Sequence, residues 1–282
     1  MQEKNGSNTA PPLNGDYWRG AGGDRWVMNL ESLERGIEAL GSSLIDAADP
    51  RPGERVLDIG CGGAMTTISL ARAIAPHGRV TGIDISPQIL AVARQRTGGV
   101  HNIDLLLGDV TITDLGDPFD LLFSRFGVMF FEKPALAFRR LHGCLKPGGR
   151  LAFLCWRSPQ ENPWMSGPAS IFAAHIPTMP KPDPLAPGPF SLADRSKVEE
   201  VLHAAGFRDI SLTRLDSVMP LGPLHEAVPF LMNQGSAAAA LSEVSERQRH
   251  TIVALLTDHM RQYETATGVT PPAAAWIVKA IR

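Results

Sequence analysis

The chain of 282 residues holds only three cysteines, Cys61, Cys144 and Cys155, and no CxxC pair. So sparse a set excludes a disulfide scaffold and a cysteine metal clamp, and a reducing, cytoplasmic setting is expected. Long apolar runs are also missing. None reaches the ~18 residues that a membrane helix needs, since the most apolar stretch, LLFSRFGVMFF, is split by Arg125. The opening MQEKNGSNTAPPLNGD has no apolar segment of the kind a signal peptide carries, and residues 1–16 read as a flexible tail. Charge of one sign is absent: 27 Lys+Arg stand against 29 Asp+Glu, a net −2, with no basic block. Nucleic acid and membrane are therefore not expected partners. No HxxxH pair or carboxylate cluster has the spacing of a ligand set, so no metal is assigned.

What is present is a globular mixture of 44% hydrophobic and 20% charged residues, enough apolar material for a sizeable core. Between Arg55 and Trp156, short β-branched or Leu-rich runs alternate with helical stretches, which predicts an α/β, doubly wound, parallel sheet. Strands are expected at Arg55–Ile59, Arg79–Asp84, Ile103–Leu107, Phe119–Ser124 and Arg150–Trp156, and helices at Met65–Ala75, Gln88–Arg96 and Pro134–Leu145. Right-handed crossovers put the C-terminal strand ends on one rim, where a ligand is expected. Upstream, the apolar spacing of Arg25–Ala47 predicts a helix covering that rim, within a segment 17–50. Downstream of the core, 51–160, the Pro- and Gly-dense stretch 161–193 predicts a lid or substrate loop too broken for regular structure. In the remainder, 194–282, Asp194–Ala205 and Ala237–Tyr263 read as helices, Phe207–Leu215 as extended, and AAAWIVKAIR as a last strand.

VLDIGCGGA, Val56 to Ala64, is a buried strand ending in a glycine-rich turn that opens a helix. Glycines there permit close approach of a ligand to the backbone, and the helix start presents free N–H groups; a turn that needs glycine for its geometry alone is the competing account. Asp84 lies 22 residues beyond Gly62 at the end of the second strand, matching the ~20-residue offset at which an acid meets ribose hydroxyls. A dinucleotide fingerprint requires a small residue three places after Gly62, where Met65 stands, and a Tyr-x-x-x-Lys pair is absent, which disfavours a nicotinamide oxidoreductase.

With these residues in place, the sequence resembles the class I S-adenosylmethionine-dependent methyltransferases, in particular a bacterial small-molecule branch. The resemblance implies S-adenosylmethionine as cofactor and S-adenosylhomocysteine as product. It implies that Asp58 lies near the methionine moiety, that Gly60 and Gly62 approach it, that Asp84 holds the ribose hydroxyls and that Ile85 packs on adenine. GDV, Gly108 to Val110, is similar to the motif whose acid accepts a hydrogen bond from the adenine amino group, giving Asp109 and Val110 to the cofactor. FDLLFSRFGVMFF places Ser124 and Arg125 toward methionine and substrate, and LKPGGRLAF is similar to the turn into the fifth strand. The implied fold is a Rossmann-like seven-stranded sheet whose reversed last strand, AAAWIVKAIR, lies beside the fifth. Where many members carry a third glycine this chain has Ala64.

Methyl transfer from a sulfonium needs positioning more than a nucleophile, and a base only if the acceptor must lose a proton. His175, His225 and Tyr17 are the candidate bases. Tyr17, Trp26, Trp156 and Trp164 are candidates to stack on a flat acceptor, or to staple cover and lid to the core. The expected activity is methylation of a small aromatic or hydrophobic acceptor, with oxygen favoured; a non-catalytic cofactor binder is the rival.

Overall fold

The computed structural model describes residues 13–179, 186–234, 238, 240–242 and 244–282. Of the expected flexible tail, 1–16, residues 1–12 lie outside this range, while Gly15 and Asp16 belong to a helix that borders the strand rim. Five apolar runs form parallel strands: β1 (Arg55–Ile59), β2 (Arg79–Asp84), β3 (Ile103–Leu107), β4 (Phe119–Arg125) and β5 (Leu145–Trp156). The central ones are buried on both faces, which is why β4 reads as an unbroken apolar run rather than an alternation; Leu121, Leu122 and Phe123 all lie in the core. β6 (Arg208–Val218) lies at one edge, and β9 (Pro272–Ile281) inserts antiparallel between it and β5, giving the order β3-β2-β1-β4-β5-β9-β6. A two-stranded hairpin, β7 (Glu264–Thr265) and β8 (Gly268–Val269), precedes β9. The fold is the Rossmann-like, seven-stranded α/β sheet with one reversed strand.

The crossover helices are α4 (Met65–Ala73), α5 (Pro87–Thr97), α6 (Pro134–Gly143) and α8 (Arg195–Ala205). Local chemistry sets their ends. Ser86 caps α5 by accepting from the Ile89 N–H, with Pro87 at the first helical position, and Asp194 caps α8. The N-terminal cover is three helices, not one: α1 (Gly15–Arg19), α2 (Ala21–Met28) and α3 (Leu30–Ala48). The expected helix over Arg25–Ala47 breaks at Asn29, whose side-chain Nδ2 and backbone N–H both donate to the Arg25 carbonyl. Such local bonding by asparagine competes with helix propagation.

The stretch 161–193 is more regular than its prolines suggested. Pro163–His175 forms α7, with Pro163 in the first turn where no N–H is needed, and buries Trp164 and Phe172. Farther on, the Gly188 N–H and the Ser191 hydroxyl donate to the Met129 carbonyl, so this part is strapped onto the turn after β4; residues 180–185 of the expected lid lie outside the described residues. α9 (Leu224–Met232) and α10 (Glu246–Arg261) pack with α7 around a second apolar cluster containing Phe172, Val228, Ile252 and Leu256. A Ser245–Gln248 capping box starts α10; of the helix expected over Ala237–Tyr263, residues 237, 239 and 243 lie outside the described residues.

Candidate cofactor and acceptor site

At the C-terminal end of β1 the chain turns through Gly60, φ 66°, and Gly62, φ 58°, into α4. A Cβ on Gly60 would sit 3.1 Å from the Gly127 backbone, and one on Gly62 3.1 Å from the Trp26 ring. Both the backbone conformation and the tight space favour glycine. Ala64 takes φ 65° in the same turn. The turn is tied to β2: the Gly60 and Cys61 N–H groups donate to the Ile83 carbonyl, and the Gly62 N–H donates to Asp84 Oδ2 at 3.0 Å. Asp84 Oδ1 accepts from the Ser86 N–H at 2.9 Å. Burial pushes the Asp84 carboxyl up, while N–H donation from Ser86, Gly62 and Ile85 opposes the rise.

This turn is one wall of a cavity of about 550 Å³ on the strand rim. Of the residues expected to bind cofactor, Gly60, Gly62, Asp84, Ile85, Asp109, Val110 and Arg125 line it. Asp109 is fixed by a local turn, its Oδ1 accepting from the Thr111 N–H and hydroxyl. Asp58 and Ser124 lie beneath the cavity wall. Ser124 donates to the Ile59 carbonyl at 2.8 Å and so ties β4 to β1. Asp58 is wholly buried; its Oδ2 accepts from the Thr66 and Thr67 hydroxyls at 2.8 and 2.7 Å, and its Oδ1 has no partner. Burial raises its carboxyl, and the two threonines and Arg125 lower it.

A raised carboxyl in the fold means that the ionised form costs stability: the contribution is full below the unfolded pKa of about 3.9 and is lost as pH rises through the folded value. Asp58→Asn keeps the threonine-bonded oxygen and removes the charge. It should melt higher than wild type at neutral pH, with the gain shrinking in acid; a lower neutral melting temperature would overturn this reading of Asp58.

The aromatic candidates divide. Trp26 lines the cavity, whereas Tyr17 packs against Gly22 and meets Trp18 edge-on. Trp156 does not reach the cavity: it stacks on Phe126 at 4.0 Å and 12°, and Trp164 stands edge-on behind it. Phe126, which does line the cavity, is thus the cavity-facing end of a buried aromatic pile. Trp18, which stands in the aromatic group expected before the first helix, does line the cavity, and Phe130 and Phe131, which were not expected there, complete an aromatic wall. Its signal was the run RFGVMFF, which alone reads as the end of a core strand. Also missed was Glu34 of α3, buried and held by Arg96 Nη1 at 2.6 Å, while the same nitrogen donates to the Gly63 carbonyl of the glycine turn. That bridge joins cover, glycine turn and α5.

The candidate bases lie elsewhere. His175 ends α7 with its Nδ1 on the Ile171 carbonyl, and His225 is exposed beside Glu226; neither lines the cavity. His175→Ala and His225→Ala are expected to leave turnover within about twofold of wild type, since surface substitutions away from the chemistry are near neutral; a tenfold loss in either would restore it as a base. Among the described residues, no group of three or more His, Cys, Asp or Glu is placed to hold a metal, and no helix is long and apolar enough to cross a membrane.

Comparison with known proteins agrees with this geometry. The methyltransferase domain family matches residues 57–153, which run from β1 into β5. A demethylmenaquinone methyltransferase from Staphylococcus epidermidis is 30% identical over 167 residues, 56% of this chain and 69% of that one. The aklanonic acid methyltransferase DauC of a Streptomyces species is 36% identical over 117 residues, 40% of this chain and 53% of the relative, so only about half of that protein is spanned. Among solved structures, a phosphoethanolamine N-methyltransferase from Haemonchus contortus, bound to phosphomonomethylethanolamine and S-adenosylhomocysteine, superposes with TM-score 0.53 at 19% identity, over 86% of this chain and 52% of that one. At such identity this likeness concerns the fold. The chain belongs to the class I S-adenosylmethionine-dependent methyltransferases, and S-adenosylmethionine is its cofactor. The residues present fit that group: a glycine cradle a Cβ would fill, a half-buried carboxylate, Asp84, bound to that turn, and a buried guanidinium in the cavity wall.

Proposed function

We propose that the protein transfers the methyl group of S-adenosylmethionine to a small aromatic or hydrophobic acceptor, with oxygen as the favoured atom on the frequency of such acceptors in the family. The observation that carries this reading is the single cavity in which Gly60, Gly62, Asp84 and Asp109 meet the aromatic wall of Trp18, Phe126 and Phe130. In it Asp84 accepts the ribose hydroxyls, Asp109 the adenine amino group, and Ile85 packs on the adenine face. When bound, the cofactor supplies an already activated methyl electrophile. The chain's own part is to hold the acceptor in line at near-attack distance and to exclude water, which is where most of the acceleration arises. Two relatives named for demethylmenaquinone and aklanonic acid support a small-molecule acceptor.

No histidine, tyrosine or cysteine is among the described residues that line the cavity, and residues 1–12, 180–185, 235–237, 239 and 243 contain none of these types. Proton removal, where an acceptor needs it, falls to solvent or to the rim carboxylates of Asp16 and Glu132. The test is calorimetric titration with S-adenosylmethionine, S-adenosylhomocysteine and NADPH, followed by incubation with methyl-labelled cofactor and a panel of phenols and hydroxylated naphthoquinones. Micromolar binding of the sulfur nucleosides with label transfer to the panel is expected. Binding of NADPH alone would sink the proposal, and tight nucleoside binding without transfer to any acceptor would favour the non-catalytic binder.

A further inference from the structure

Phe126, the residue after β4, has a left-handed backbone, φ 66° and ψ 0°. Glycine enters that region freely and asparagine or aspartate occasionally, whereas a bulky aromatic residue is strained there. Such a conformation persists only where the surroundings over-determine it, and such positions cluster at ligand sites. The neighbours on both sides supply the constraint. Arg125 runs beneath α3, where a Cβ on Gly41 would come within 3.1 Å of its Cδ. Gly127 is pressed on the glycine turn, since a Cβ there would lie 2.8 Å from the Ile59 carbonyl oxygen and 3.2 Å from Gly60 Cα. Between them the Phe126 N–H donates to the Leu154 carbonyl of β5 at 3.2 Å.

The ring carried by this backbone is braced from behind. Trp156 covers one face of it, and Trp164 stands edge-on to Trp156 with ring centroids 5.4 Å apart. The Trp156 backbone N–H donates to Met129 Sδ at 3.4 Å, and the Met129 carbonyl accepts from the Ser191 hydroxyl, so the pile is tied to the strap that follows α7. The Phe126 ring is 8% exposed and borders the cavity together with Gly60, Trp26 and Phe130. A side chain fixed in this way has little rotamer freedom left to lose when a ligand arrives, and its π system prefers offset-stacked or edge-on rings as partners. A flexible apolar side chain would bury aliphatic and aromatic acceptors alike, whereas a rigid ring discriminates by shape.

Resting on the methyl-transfer reading above, we propose that Phe126 positions the acceptor and that the acceptor is planar: an aromatic or quinone ring system packed against the Phe126 ring, taken in preference to a saturated ring of the same size. The strained backbone at residue 126 is what places a ring, rather than the next residue of a strand, at that point of the cavity wall.

The test compares 1-naphthol with decahydro-1-naphthol, which has the same carbon skeleton and hydroxyl but no flat ring. Each is titrated by calorimetry into protein saturated with S-adenosylhomocysteine, using the wild type, Phe126→Met, Phe126→Asn and Phe126→Tyr, with a thermal melt of each. Burial of apolar surface alone would favour the saturated alcohol, which carries more C–H surface. The wild type should instead prefer naphthol by roughly 5- to 50-fold, the range of stacking on an aromatic side chain. Phe126→Met, which nearly keeps the volume, should reduce that preference to about twofold or less, with nucleoside affinity close to the wild-type value. Phe126→Asn, a residue type that accepts the left-handed backbone, decides the matter should the methionine variant fail to fold. Phe126→Tyr, which keeps the ring, should retain the preference. A wild-type preference surviving in a folded non-aromatic variant would overturn the proposal and assign ring recognition to Trp18 and Phe130. Equal weakening of both alcohols and of the nucleoside would overturn it in favour of a role in shaping the cavity. A wild type that binds the two alcohols equally, or binds neither, would overturn it and leave methyl transfer standing. Failure of the wild type to bind the nucleoside would instead sink the cofactor reading on which the proposal rests.

Discussion

Asp84→Ala should weaken S-adenosylhomocysteine binding by about 1–3 kcal/mol, roughly 5- to 150-fold. The carboxylate has two tasks in the fold, accepting the Gly62 and Ser86 N–H groups, and its remaining acceptor capacity faces the cavity. Alanine removes the ribose acceptor and frees the glycine turn together, so the loss should exceed that in Asp84→Asn, which keeps one acceptor oxygen. The same acid makes binding sensitive to pH. Because burial holds its carboxyl above the ordinary range, affinity should fall in acid sooner than an exposed aspartate would allow, as protonation removes the ionised acceptor. Calorimetry at neutral pH and in mild acid reads both effects. An Asp84→Ala protein that binds like the wild type would remove Asp84 from the cofactor site.

Asn162→Leu should destabilise the protein by about 2–4 kcal/mol, the cost of leaving two or more buried polar groups unpaired. Asn162 is wholly buried in the turn after β5. Its Nδ2 donates to the carbonyls of Ala274, Ser158 and Arg157 at 3.0, 3.1 and 3.3 Å, and its Oδ1 accepts from the Ala274 N–H at 2.9 Å. One side chain thus fastens the exit of β5 to the reversed strand β9, beside Arg157, whose guanidinium pairs with Glu161 and Asp216. Leucine fills the volume and satisfies none of these groups. A fall in melting temperature of the order of 10 °C is expected for a chain of this length, with cofactor affinity almost unchanged because Asn162 does not line the cavity. A melting temperature equal to the wild type's would show that water or a backbone shift takes over the lost bonds.

These two substitutions separate features that sequence makes visible from those it hides. Asp84 stands out because its offset from Gly62 follows from the length of one crossover unit, a local quantity. Asn162 sits in a Pro- and Gly-rich stretch that reads as an open loop, and its main partner, Ala274, is 112 residues away. The extent of α7 was obscured for a related reason: Pro163 falls in the first turn, but Pro168 stands in the helix interior, where proline ordinarily ends a helix, and it is carried there by packing that buries Trp164, Pro168 and Phe172. At Asn29 a side-chain bond ended a helix that apolar spacing alone would have continued.

Five parallel strands, the crossover helices and the glycine and acid positions at their ends were legible in the residue pattern. Each depends on residues close in the chain: an apolar run, a cap, a turn, a fixed offset. Tertiary structure alone decided which of those residues reach the cavity. It placed Ser124 and Asp58 under the wall and Arg125 within it, turned Trp156 into backing for Phe126, and removed His175 and His225 from the site. The physical reason is that exposure to a ligand is fixed by packing between distant segments. α3 over Arg125, the bond of Glu34 to Arg96, and the three short cover helices are settled by shape and charge across the fold, which no local pattern records.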